Sequence, residues 1–525
     1  MTASSAPARR IPWWSAVAGV VAGIVLVAVA ELLSLAFSAS SAPFAAVGGA
    51  FIDIVPPALK DAVIALFGTA DKLVLNASMV AVYALLTALI GGLGARRPRL
   101  AAALLAGLGL LAAALALTRA QNTAADTVPT LVGTAVAVPL LLLLLRAVRG
   151  PAQAAPEAEG GDEEQSAWSR RRTLVGVGAL GVLGVLIAAG ARGVTATREA
   201  ARRAAEYVLP APADPAPPVP DDAQVDVEGM GPFLTPNEDF YRIDTALAVP
   251  RVDPSTWEVR IHGLVERELT LSLEELLAEP MTEAHVTLAC VSNAVGGSLV
   301  GNATWMGVPV RSLLERAGVQ EGADMVLSRS VDGFTASTPL EALTDDRDSL
   351  LAVSMNGEPL PQEHGYPVRM VVPGLYGYVS ATKWLAELKV TRFDEDTAYW
   401  STRGWSERGP IKIASRVDVP RPSATVAADE DGAVMLGGTA WAQRRGIAGV
   451  QVRIDDGAWQ EAELGADVGV DAWVQWSLRW ADATPGPHTA TVRATGGDGE
   501  EQTATEANPA PNGASGWHTV DFTVE

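Results

Sequence analysis

The chain carries a single cysteine, Cys290, which closes the apolar run VTLAC just before the polar, glycine-bearing SNAVGG. A thiolate at a strand end, beside a loop that leaves room, is a soft ligand for a soft metal. Out of context the commoner reading is a buried free thiol, because cysteine is among the most buried residue types. With one cysteine the chain forms no internal disulfide, no cysteine-ligated zinc site and no iron-sulfur cluster. Three further pieces hold groups able to do chemistry: NEDFYRIDTALAVP with Arg242, EHGYPVRMVVPG with His364 and Arg369, and SATKW with Lys383. A guanidinium donates two parallel hydrogen bonds from a planar fork, which suits a tetrahedral oxyanion or a phosphate; the alternative for Arg242 is a surface ion pair. Gly365 and Pro367 fix the kind of backbone approach a bulky ligand needs beside His364, whose alternative is a structural role next to a turn.

Such residues need a frame to hold them. WEVRIHG, EAHVTLACVS, MVLSRSV, LLAVSMNG and VRMVVPG read as strands, and SLEELLA and PVRSLLERAG as short helices. That interleaving predicts an α+β domain over 225–418. After PRPSATVAADEDG the texture changes to alternating, Trp-rich strands separated by Gly, Asp and Asn turns, from VMLGGTAWA to WHTVDFTVE. This predicts an immunoglobulin-like β-sandwich over 419–525. Ahead of both, 196–224 begins as a charged, Ala-rich stretch and becomes LPAPADPAPPVPDD, expected to be an extended, semi-rigid spacer.

The first 195 of the 525 residues have a different composition, dominated by Ala, Leu, Val and Gly. Five stretches there reach the ~17 to 25 residues needed to cross a bilayer, predicting an all-α membrane domain. They run over 13–37, 73–94, 100–117, 128–145 and 173–191. The piece between the first two is interrupted by Asp53, Pro56, Pro57, Lys60 and Asp61 and reads as interfacial or re-entrant. Arg9 and Arg10, then Arg96, Arg97 and Arg99, then Arg146, Arg149 and Arg170 to Arg172 fall on one side if all five stretches span. Basic loops mark the cytoplasm, so the chain after Ala191 is expected outside. Ser169, Arg170, Arg171 and Leu174 also resemble a twin-arginine export signal, with Thr173 where an aromatic is usual; a positive flank of a helix is the other reading of the same arginines. All five histidines lie after the membrane half, which excludes a bis-histidine haem among the spans. The net charge of −21 sits almost wholly in the soluble half and argues against nucleic-acid binding, which needs clustered Lys and Arg.

Taken together and in order, VTLACVSNAVGG, GNATWMGVPVRSLLERAGV, MNGEPLPQEHGYPVRMVVPGLYGYVSATKW and the final WHTV resemble the sulfite oxidase family of molybdopterin-dependent oxidoreductases, in a membrane-anchored bacterial form. The resemblance runs from about Asn237 to Glu525. It implies a molybdenum-molybdopterin cofactor with Cys290 as the metal's protein ligand. It further implies that Arg242 lies in the substrate oxyanion pocket, with Asn237, Phe240, Tyr241 and Arg242 on the pterin side. His364, Arg369 and Lys383 match residues that hold the pterin and its phosphate, and Ala381 and Thr382 offer backbone groups. In the family the C-terminal sandwich serves dimerisation. Sulfite-oxidising members carry a tyrosine where YWSTRGWSERG places Trp405, with Tyr399 earlier in the motif; an indole cannot accept a hydrogen bond or supply an acidic proton as a phenol can. A further family arginine falls near Arg444 and Arg445.

The expected function is oxygen-atom transfer on a small sulfur compound by a multi-pass protein of the cytoplasmic membrane, its catalytic domain outside, with sulfite oxidation as the default. The alternatives are a sulfoxide reductase using the same cofactor, or an anchored binding protein that has lost the metal. Retention of Cys290, Arg242, His364, Arg369 and Lys383 together argues against the last. Since the chain has no haem-attachment motif, flavin signature or cluster cysteines, electrons must pass to a separate cytochrome or quinone-linked partner.

Overall fold

The computed structural model describes residues 13–55, 71–120, 122–149 and 207–525. The helical residues up to Arg149 group with Ala246–Arg251 in one compact unit, and Tyr207–Thr245 with Val252–Glu525 in another.

The helical unit contains α1 (Trp13–Ser34), α2 (Pro43–Ile54), α3 (Asp71–Gly94), α4 (Pro98–Ala116) and α5 (Val128–Arg149). Among the described residues four helices, α1, α3, α4 and α5, are long and apolar enough to cross a membrane. The fifth expected span, 173–191, and the twin-arginine-like residues lie outside the described residues. The 12-residue α2 is too short to span; the Pro56, Pro57, Lys60 and Asp61 that follow it are also outside the described residues. Leu85, Leu89, Leu110 and Leu143 are exposed, as the outward faces of helices in hydrocarbon are.

Lipid tails offer no hydrophobic drive between helices, so close packing of small residues takes over. Gly19 of α1 and Gly91 of α3 meet backbone to backbone: a Cβ at Gly91 would collide with the Ser15 carbonyl and would lie 2.7 Å from the Gly19 nitrogen. Gly91→Leu is therefore expected to destabilise the helical unit by at least ~1 to 3 kcal/mol. Gly107→Leu, with open space around its position, is expected to have little effect. Thermal unfolding of the two variants in detergent, followed by helical circular dichroism, tests this; equal midpoints would refute the close contact.

The second unit is rich in sheet. One sheet pairs Thr282–Ala289, Val300–Pro309, Leu350–Met355 and Glu358–Pro359 in that order, with Arg369–Val371 added to Leu350–Met355. A second has the order Leu269–Ser272, Glu258–Gly263, Leu385–Thr391, Met325–Ser330 and Thr335–Pro339. Glu258–Gly263 and Leu385–Thr391 run parallel although more than a hundred residues separate them. The amphipathic helix Val310–Ala317 buries Val310, Leu313, Leu314 and Ala317 in the core these sheets share. Its stop is local: Gly318 adopts a left-handed φ of 72° and its N–H caps the Leu314 carbonyl.

From Ala414 onward two sheets enclose a separate core. One has the order Ala414–Val419, Val434–Trp441, Val474–Trp480 and Glu463–Leu464; the other Ala424–Val426, His518–Val524, Gly486–Gly496, Ile447–Ile454 and Trp459–Glu461. Both contribute inward residues, among them Leu436 and Trp476 from the first and Val452, Val492 and Phe522 from the second.

Two boundaries differ from the sequence reading. The strand Ala414–Val419 crosses the expected border at Asp418 and pairs with Val434–Trp441, so the chain has already entered the C-terminal sheets there. The Pro-rich segment is extended, yet from Tyr207 it is not a free spacer. Tyr207 Oη donates to the Val353 carbonyl (2.6 Å), the Ala213 N–H donates to the Met281 carbonyl (2.8 Å), and Asp214 bridges to Thr282. Proline removes donors but leaves carbonyls and ring surface, so the segment lies along the sheet edge and blunts it.

Candidate active site

The site is built where the first sheet ends. Thr282–Ala289 and Val300–Pro309 are antiparallel with Ala289 opposite Val300, so Cys290 is the first residue of the loop that joins them. The Cys290 N–H donates to the Leu299 carbonyl (2.9 Å) and the Asn293 N–H to the Cys290 carbonyl (3.0 Å), while Asn293 Oδ1 accepts the Leu299 N–H (2.9 Å). The loop is tied from behind as well: Arg416 donates to the Gly297 carbonyl (2.8 Å), and His518 Nδ1 accepts the N–H of the adjacent Val417 (3.0 Å). The final WHTV thus supports the cysteine loop through the C-terminal sheets. Burial pushes the Cys290 thiol up, against the Ser292 N–H that donates to its sulfur at 3.4 Å.

Cys290 lines an open cavity. Phe240, Tyr241, His364, Arg369, Ala381 and Lys383 line the same cavity, so residues far apart in sequence converge there. A small core beneath them includes Val286, Leu288, Trp305 and Leu350. Phe240 stands edge-on to both Trp305 (5.8 Å) and His364 (5.7 Å). His364 donates from Nε2 to the Asn237 carbonyl (2.8 Å), since a carbonyl can only accept. Burial, and then the charge of Arg369, lowers His364 to about 4, so the ring is neutral at pH 7 with Nδ1 left as an acceptor. Gly365, at a φ of 116°, ends the turn Gln362–His364 and lets Arg369 and Lys383 close in; a Cβ there would lie 2.9 Å from Arg369 and 3.1 Å from Lys383.

The two cations of the wall differ. Lys383 pairs with Asp244 at 2.8 Å and donates to the Glu363 carbonyl (3.1 Å); burial lowers it to about 8 against the pull of Asp244. Arg369 is 5% exposed, donates to the His364 carbonyl (3.0 Å) and lies 4.8 Å over the Trp305 ring. Its pKa falls to about 10 through burial, and the opposing influence is Tyr241 rather than any carboxylate. A buried guanidinium without a counter-charge is costly, and an anionic group brought by a ligand would supply one.

Three of the sequence-predicted residues stand behind the lining. Asn237 contributes its carbonyl to His364, and Thr382 is buried with its hydroxyl 2.7 Å from that of Ser328. Arg242, expected in an oxyanion pocket, is 39% exposed at its side chain, and its Nε is drawn to Asp244 at 3.0 Å. Arg444 pairs with Asp346 and Asp471, and Arg445 with Glu500; neither lines the cavity. Trp405 does, whereas Tyr399 lies off the wall with Arg403 stacked 3.5 Å from its ring centroid. Sequence reasoning missed Asp244, Asp332, Phe334, Tyr378, Trp384 and Trp400. Asp332 lies in none of the motifs quoted from the sequence, and the aromatics carry no spacing signal.

The donor set tests what metal chemistry fits. Among the described residues no group of three or more His, Cys, Asp or Glu is placed to hold a metal ion. One soft thiolate must then be completed by a ligand that brings its own donors, and the buried Arg369 suits an anion on that ligand. A molybdenum-pterin cofactor, with sulfur donors and a phosphate, fits both.

Comparison with known proteins agrees. The sequence profile of the family described as "Oxidoreductase molybdopterin binding domain" matches residues 246–400. The chain is 33% identical over 294 residues to the sulfite oxidase of Gallus gallus, covering 47% of this chain and 63% of that one. It is 37% identical over 157 residues to the uncharacterized oxidoreductase YuiH of Bacillus subtilis (strain 168), covering 30% of this chain and 76% of that one. Among solved structures it is similar to the sulfane dehydrogenase SoxCD from Paracoccus pantotrophus, with 24% identity, a TM-score of 0.48, and coverage of 56% of this chain and 84% of that one. The chain spans only 50% to 63% of the length of the sulfite oxidases it matches.

Proposed function

We propose that this chain, which belongs to the sulfite oxidase family of molybdopterin-binding oxidoreductases, catalyses oxygen-atom transfer on a small sulfur compound. When bound, the cofactor supplies a metal able to exchange one oxygen atom and two electrons with the substrate. The chain's own residues have separable tasks in this reading. Cys290 provides the thiolate ligand from a loop fixed by backbone bonds. Arg369 and Lys383 hold the phosphate, and the neutral His364 offers Nδ1 to a donor on the pterin. Phe240 and Tyr241, stacked at 5.2 Å, close the pterin side against water.

The observation that carries the reading is the meeting of one cysteine with an uncompensated buried guanidinium in a single cavity. Sulfite is the simplest substrate; the reverse reaction on a sulfoxide uses the same groups. Metal analysis of the purified protein, followed by sulfite-oxidation and sulfoxide-reduction assays, tests it. A protein without molybdenum, or a loaded one inert toward both, would overturn it.

In the same reading the four apolar helices anchor the catalytic unit, the C-terminal sheets form an immunoglobulin-like dimerisation domain, and a separate cytochrome or quinone-linked partner carries the electrons. The twin-arginine-like residues would export the unit already folded. Arginines 96, 97, 99 and 146 are basic flanks of the spans and support a cytoplasmic side for those ends; with the expected fifth span over 173–191 the C-terminus lies outside. A reporter fused after Glu525 is expected to be active only if it works outside the cytoplasm; activity of a cytoplasm-dependent reporter there would reverse the topology.

A further inference from the structure

The cavity has a second wall. Beyond the groups assigned to the cofactor it is lined by Phe334, Tyr378, Trp400 and Trp405, together with Asp332. The rings are contiguous: Trp400 stands edge-on to Trp405 at 6.3 Å and 79°, and Trp405 lies 6.0 Å from Tyr378. Two indoles meeting nearly at right angles make a corner of apolar surface. Asp332 is fixed beside it, its Oδ1 accepting the Phe334 N–H at 3.0 Å and its Oδ2 facing the Thr245 hydroxyl at 3.4 Å.

The charges on the lining point the same way. Among the described residues its only arginine or lysine residues are Arg369 and Lys383, both buried, and Lys383 is already paired with Asp244. Arg242 is held by Asp244 instead of reaching the cavity. Once Arg369 and Lys383 face the cofactor's phosphate, no guanidinium or ammonium of the lining is left for the substrate, while Asp332 adds a negative charge. A sulfite dianion would meet a like charge and no fork of donors. An uncharged organic sulfur compound would meet aromatic faces, which take both apolar carbon and polarisable sulfur.

We propose that Trp400 and Trp405 form the subsite for the organic body of an uncharged sulfoxide or thioether, and that Asp332 selects against anionic sulfur. This rests on the oxidoreductase reading above and names its substrate class. In the reductive direction one sulfoxide, two electrons from an external one-electron donor and two protons give one thioether and one water.

The test uses the molybdenum-loaded full chain. Methyl phenyl sulfoxide with reduced viologen and sulfite with ferricyanide are compared for the wild type, Trp400→Ala, Trp405→Ala and Asp332→Asn. The wild type is expected to favour the sulfoxide in kcat/KM. Each Trp→Ala change should lower the ratio of sulfoxide to sulfite kcat/KM by roughly tenfold or more, mainly through the sulfoxide KM. Asp332→Asn should shift the ratio toward sulfite. Methyl phenyl sulfide titrated into wild type should quench tryptophan fluorescence saturably, and less so in the Trp400→Ala, Trp405→Ala double variant. A wild type that prefers sulfite, or a ratio unmoved by both Trp changes, overturns this proposal and leaves the oxidoreductase reading standing. Loss of molybdenum, or inertness toward both substrates in the wild type, overturns that reading and this one with it.

Discussion

Cys290→Ser is expected to abolish turnover in a protein that still folds. The loop depends little on the sulfur for its shape: the Cys290 N–H and carbonyl and the Asn293 side chain hold it through bonds that serine leaves intact, and a serine hydroxyl can still accept the Ser292 N–H that meets the sulfur. Sulfur is the softer donor, and a hydroxyl oxygen in its place changes the electronic character of the metal it binds. The loss should exceed the ~10- to 100-fold that follows removal of an outer-shell partner of a metal ligand. Turnover per bound molybdenum measures it, and X-ray absorption at the metal should count one sulfur fewer. The unfolding midpoint of the molybdenum-free variant should match wild type. Normal turnover in Cys290→Ser would remove the residue from the metal.

What the sequence made legible depended on how local each signal was. The switch from VTLAC to SNAVGG marks a strand end within a dozen residues, and Cys290 is found at that junction. His364, Gly365, Pro367 and Arg369 share one short segment, so a backbone shape suited to a bulky ligand beside His364 was readable from glycine and proline, while the roles of His364 and Arg369 came from the family resemblance. The aromatic corner was not, because Tyr378 from the short helix Gly377–Ser380 and the Trp400–Trp405 turn are brought together only by the tertiary fold. Arg242 shows a different limit. Its type and motif pointed to an anion pocket, whereas its pairing with Asp244 two residues on, which holds Arg242 and Lys383 at once, left no local signal. The Pro-rich stretch was expected to be an extended spacer, while its docking from Tyr207 onward rests on partners such as Val353 and Met281 that lie far along the chain.

Arg369→Met separates a residue kept for a ligand from one kept for the fold. In wild type the guanidinium is buried, with backbone carbonyls and the Trp305 face around it, and burial has drawn its pKa down to about 10. A charge left in that position costs several kcal/mol after relaxation. Methionine keeps an unbranched stem of similar reach over Trp305 and removes the charge. The molybdenum-free protein is therefore expected to gain stability, and each kcal/mol recovered should raise the unfolding midpoint by roughly 2 to 4 °C in a unit of this size. Cofactor retention should move the other way. Each charge-assisted hydrogen bond lost to the phosphate is worth ~1.5 to 3 kcal/mol, which is about tenfold to more than a hundredfold in affinity. Molybdenum and pterin per chain after gel filtration measure retention, and thermal unfolding of the metal-free protein measures stability. A variant that keeps its cofactor while losing stability would make Arg369 part of the scaffold. A more stable, cofactor-poor variant would place the cofactor's anion against the guanidinium, because only a bound counter-charge explains a group whose removal helps the empty protein and harms the loaded one.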